Sequence, residues 1–130
     1  MPTQAATGLF IENRSRATAA LAVQLAGNRY VGQLGTVSMF ELRAMIDRIL
    51  DYYDKWATGD QHALPACLDF VENICFALSI PLAETSYGLF VLRDGISAML
   101  ATGAENENSE TIRKVNSFFE AFVHDLLSRY

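Results

Sequence analysis

The C-terminal stretch constrains the fold more than any other part of the chain. Ile112, Val115, Phe118, Phe119, Phe122, Val123, Leu126, Leu127 and Tyr130 recur at i, i+3, i+4 and i+7 without a break. Arg113, Lys114, Asn116, Glu120, Asp125 and Arg129 fall between them. That is the period of an α-helix with one apolar stripe, about five turns long. Three phenylalanines on one stripe demand cover, so other elements must pack against it. Ser109 is the expected N-cap, Glu110 complements the helix dipole, and Asn106 and Asn108 fall in the preceding loop. No stop signal follows, so the helix is expected to run on past Tyr130, with residues 1–130 forming one domain of a longer protein.

The cover is legible upstream as more helix. Ser38-Met39-Phe40-Glu41 reads as a capping box, a serine hydroxyl and a glutamate closing the first turn. After it Leu42, Met45, Ile46, Ile49, Leu50, Tyr53 and Trp56 form an apolar side to which Phe40 is also assigned. Gly59-Asp60 ends that helix. Pro65 suits the first turn of a third helix, where its missing N–H costs little. Leu64, Cys67, Leu68, Val71, Ile74, Cys75 and Leu78 form the stripe of this helix, and Ser79-Ile80-Pro81 breaks it. A fourth helix is expected from Leu82 to Thr102, with Gly103 as C-cap. Its apolar residues spread around the circumference, as in a central or interface helix. Gly88 and Gly95, a heptad apart, each cost about 1 kcal/mol relative to alanine, which close packing against a neighbour would explain. Leu9, Phe10, Ala17, Ala20, Leu21 and Leu25 allow a first helix from Thr3 to Ala26, with a loop over residues 28–36. There is no strand pattern and no internal repeat. The fold class is all-α: a single five-helix bundle.

Composition narrows the chemistry. Hydrophobic residues are 51% and charged residues 19% of the chain, with 15 acidic against 10 basic side chains, a net charge of −5. Such a chain folds, and its sign argues against gripping nucleic-acid phosphates or an anionic membrane. No apolar run reaches the ~18 residues of a membrane span. Cys67 and Cys75 are eight apart, about 12 Å along one helix, whereas a disulfide needs Cα atoms within about 7 Å. They are expected as free, buried thiols, which suits a reducing cytoplasm. The sequence carries no phosphate loop, dinucleotide fingerprint, nucleophile elbow or metal-spaced Cys/His set, so it does not read as an enzyme.

The order of features resembles the N-terminal domain of the RsbRD-type co-antagonists of the stressosome. Related domains also precede kinases and cyclases in bacterial signalling proteins. Three stretches carry the resemblance. The first runs from Phe40-Glu41-Leu42 to Trp56-Ala57-Thr58-Gly59-Asp60. The second is Ala77-Leu78-Ser79-Ile80-Pro81-Leu82-Ala83-Glu84 followed by Leu89 to Ile96. The third is Phe118-Phe119-Glu120-Ala121-Phe122 closing on Arg129-Tyr130. The resemblance implies a globin-like, cytoplasmic sensory or regulatory domain that pairs with a second copy. Its last helix would pass a signal to an output domain or to stressosome components. On this reading the homodimer face lies on the fourth helix and part of the last, with Tyr87, Phe90, Val91 and Phe122. The alternative is a small-molecule or haem site between the second, fourth and fifth helices, lined by Phe40, Tyr53, Phe90, Met99, Phe119 and His124. For His124 an edge position on a core helix is the competing reading, and no cofactor is required.

Overall fold

The computed structural model describes residues 8–10, 13–28, 32, 36–102 and 105–129, without the side chains of 105–108. These residues form five helices and no strand: α1 (Arg14–Ala26), α2 (Met39–Ala57), α3 (Ala63–Ala77), α4 (Leu82–Ala101) and α5 (Glu105–Ser128). The all-α expectation therefore holds.

Local chemistry sets most of the boundaries. At the start of α2 the Glu41 N–H donates to Ser38 Oγ at 3.1 Å. The Ser38 hydroxyl faces Glu41 Oε1 at 3.3 Å, so the glutamate closes on the hydroxyl. Two helices then end in the same way. After α2, Gly59 adopts φ +102°, the Gly59 N–H reaches Trp56 O at 3.0 Å, and the Asp60 N–H reaches Lys55 O at 3.0 Å. After α3, the Ser79 N–H reaches Phe76 O at 3.2 Å and the Ile80 N–H reaches Cys75 O at 2.8 Å. Both are Schellman closures. The second puts a serine at φ 58°, a left-handed position that favours glycine. Ile80 buries its side chain behind that turn, and Pro81 blocks any continuation.

Three expectations shift. The first helix starts at Arg14, and residues 1–7 lie outside the described residues. Phe10 at φ 54° cannot itself continue a helix. Ser109 sits inside α5, which begins at Glu105. No proline or glycine separates the two positions, so nothing stops the helix extending backwards. Gly103 lies outside the described residues, and Thr102 caps α4.

The elements close around one core. α4 packs along α5, α1 along α2, and α2 along α3, while α1 also meets α4 and α3 meets α5. Phe118, Phe119 and Phe122 are fully buried at the centre. Phe118 meets Tyr53 edge-on at 5.4 Å, Trp56 at 5.3 Å and Phe119 edge-on at 5.3 Å. Such pairs add about 0.5–1.5 kcal/mol beyond burial. Gly95 packs against α1: a Cβ there would stand 2.7 Å from Leu21 Cδ2 and 2.6 Å from Gln24 Oε1, so any larger residue forces those two side chains to move. Gly88 is buried on the same helix.

Candidate interaction surface

The six residues expected to line a ligand pocket do not converge. Tyr53 and Phe119 are packed in the core. Phe90 and Met99 are half-buried on α4. Phe40 is 82% exposed on the outside of α2. The His124 side chain is 80% exposed, with Nδ1 3.3 Å from Asp125 Oδ1. It therefore faces water and its neighbour on α5, away from an apolar wall. The dimer set divides as well. Tyr87 is 41% exposed, and Phe90 and Val91 lie half-buried against the core. Phe122 is fully buried within its own chain, so it has no surface to offer a partner.

What the fold assembles instead is a groove of about 350 Å³ between α2 and α3. Phe40, Ala44 and Met45 line it from α2, Phe70 and Ile74 from α3, with Leu78 at its end. The groove is apolar because of where helical periodicity puts Phe40. It stands two residues before the buried Leu42, hence about 200° around the helix from it. Its ring consequently points out of the core. Phe76, at the end of α3, is 88% exposed, and Met39 and Leu78 are each about two-fifths exposed. Singly such residues need no explanation, but Phe40 and Leu78, exposed along one groove, mark a contact surface.

Arg48 sits in the same groove. Its guanidinium lies 4.6 Å above the Phe70 ring and 5.6 Å from that of Tyr52. An N–H donates to Tyr52 Oη at 3.1 Å. Two arginines elsewhere are held in clusters of carboxylates. Arg14 holds Asp47, Asp51 and Asp54 at 3.2, 3.0 and 2.6 Å. Arg129 holds Asp69 and Glu72 at 2.9 and 2.7 Å. Arg48 has no carboxylate within ion-pair distance among the described residues. No spacing rule in the sequence announces a cation stacked on a ring of the next helix.

Two further features frame the groove. Arg129 ties the last turn of α5 to α3 through Asp69 and Glu72. Thus α3 carries the groove on one face and the end of α5 on another. The thiols lie deeper. Burial pushes Cys67 up from an ordinary 9.0 to about 12, with Arg48 opposing. It also raises Cys75, against a hydrogen bond from the Thr85 hydroxyl. Both cysteines are free and buried, as their spacing predicted, and a raised thiol is a poor nucleophile. A cavity of about 330 Å³ lies on the far side of α3, beside Cys75, Glu72 and Thr85. Among the described residues no group of three His, Cys, Asp or Glu side chains is placed to hold a metal. No described helix is long and apolar enough to cross a membrane.

The described residues therefore form a five-helix bundle with an open apolar groove between α2 and α3. Comparison with protein-family models, with curated proteins and with solved structures returns no match.

Proposed function

We propose that this chain is a non-catalytic regulatory domain that works by contact between polypeptides. Association at the α2–α3 face is passed through α3 to the end of α5. The observation that carries this reading is the shared helix: Phe70 and Ile74 line the groove, while Asp69 and Glu72 hold Arg129. An occupant that shifts α3 moves the anchor of α5's last turn. Packed helices hold discrete arrangements, so small shifts at one face become steps at another. The resemblance to stressosome co-antagonist domains supports the same reading, with a globin-like cytoplasmic module whose last helix feeds an output domain.

The test is internal coupling. Arg129→Ala removes the tie without touching the groove. Methyl resonances of Ile74, Ala77, Leu78 and Ala44 should shift in the variant, together with the backbone of Leu126 to Ser128. If only the α5 signals move and the groove methyls stay put, α3 does not transmit and the relay is wrong.

A further inference from the structure

The α2 face of the groove has a charge pattern that fits itself. Glu41 and Arg48 line the groove, both exposed, seven residues and about two turns apart on α2. Arg43 and Asp47 stand on the other flank of the same helix. Between the flanks is Ala44, exposed and small. When two copies of a helix run antiparallel about a two-fold axis, residues whose numbers share one sum face each other. Glu41 plus Arg48 gives 89, Ala44 plus Met45 gives 89, and Arg43 plus Asp47 gives 90. A crossing at Ala44–Met45 thus sets Glu41 opposite the partner's Arg48 on one flank. On the other it brings Arg43 beside the partner's Asp47. Closed symmetric dimers require this kind of self-complementary patch.

We propose that the occupant of the groove is a second copy of this chain, docked with its α2 antiparallel across Ala44 and with Glu41 of each copy paired to Arg48 of the other. This rests on the regulatory reading above and names the partner which that reading leaves open. The pairing explains three observations at once. It supplies the carboxylate that Arg48 lacks among the described residues. It covers Phe40, 82% exposed in a single chain. It uses a small residue where two helix backbones approach within about 8–10 Å. Arg48 is already held by the Phe70 and Tyr52 rings, so little side-chain freedom is lost on pairing.

Charge reversal tests the geometry. In sedimentation velocity on the whole chain, from about 5 to 200 μM, the parent should pass from monomer to dimer by mass action. Glu41→Arg alone, or Arg48→Glu alone, sets like charges together at two places in the symmetric dimer. Each should weaken association at least tenfold. Mixing the two single variants restores both pairs, so the mixture should form a heterodimer that neither forms alone. Phe40→Ser should also weaken the dimer while leaving the melting temperature of the monomer within a degree or two. Tyr87→Ser, on α4, should leave association unchanged. A parent that stays monomeric throughout overturns the proposal. So does a dimer indifferent to either reversal, a mixture that does not associate, or a dimer lost only with Tyr87. None of these results bears on whether Arg129 and the groove are coupled, so the relay stands or falls separately.

Discussion

Ser79 stores strain that glycine would release. A non-glycine residue in the left-handed region costs about 1–2 kcal/mol, and Ser79 occupies it at φ 58° to close α3. Glycine would also enlarge the entropy of the unfolded chain, by about 0.4–1 kcal/mol. The balance favours a gain of about 0.5–1 kcal/mol for Ser79→Gly, read as a higher urea midpoint with an unchanged slope. Gly95 behaves in the opposite sense. Gln24 is exposed and can swing its amide away, but Leu21 is 1% exposed and its methyl is held. Overpacking costs about 1–3 kcal/mol, against which alanine regains about 1 kcal/mol of helix propensity. Gly95→Ala should therefore be neutral to destabilising by about 2 kcal/mol. Burial of Cys67 makes stability depend on pH at the alkaline end. Its thiol ionises near 9.0 in an unfolded chain and at about 12 in the fold, so the unfolded state loses its proton first. The stabilising contribution is whole below pH 9 and is lost as pH rises from there. The slope is at most about 1.4 kcal/mol per pH unit. Tyr53, moved from 10.0 to about 12 by burial and by Asp54, adds to the loss above pH 10. Urea midpoints between about pH 8 and 10 should fall for the parent and stay flatter for Cys67→Ala.

Elements were legible in the sequence where local chemistry decides them. Ser38 with Glu41, Gly59 with Asp60, and Ser79-Ile80-Pro81 each fix a helix end by hydrogen bonds within a few residues, and each boundary stands where its residues put it. The start of α1 was not legible, because it depends on a contact 45 residues away: the Leu9 N–H donates to Asp54 Oδ1 at 2.9 Å. Arg14 completes that clamp, giving its Nε–H to Leu9 O at 3.1 Å and its other donors to three aspartates of α2. The surface was the least legible part. Phe40 counted as core by type, although its place two residues before the buried Leu42 turns it about 200° away along the helix. Phe122 counted as interface by neighbourhood, and only the closure of α5 on the bundle buries it. The clamp makes its own prediction. Arg14→Ala strands a half-buried Asp54 and should cost about 1–3 kcal/mol, with faster exchange of the Leu9 amide. Arg14→Lys should recover little of this, since an ammonium lacks the planar fork that reaches a carbonyl and three carboxylates together.

At the scale of the whole molecule, the core and the surface answer to different tests. Phe118 touches Tyr53 and Trp56 of α2 and two phenylalanines of its own helix, so it joins the α1–α2 side of the bundle to the α4–α5 side. Truncating a buried phenylalanine costs about 3–5 kcal/mol, against about 5–15 kcal/mol for a domain of this size. Phe118→Ala and Phe122→Ala should each lower the melting temperature sharply. Because the two rings lie 5.7 Å apart, their effects should not add: once the first ring is gone, the second has lost a partner and costs less to remove. Glu120 is exposed on the same helix, and Glu120→Ala should change stability by about 0.5 kcal/mol or less. Arg129→Ala removes two ion pairs at an exposed site, where such pairs contribute about 0–1 kcal/mol, so the fold should survive it nearly intact. The distinguishing measurement is native-state hydrogen exchange on these four variants. A core loss lowers protection in every helix together, because the bundle opens as a unit. Loss of the Arg129 tie should raise exchange only in the last turn of α5 and in the adjoining turns of α3. Uniform loss of protection in Arg129→Ala would mean that the tie holds up the fold and does not serve as a separable joint.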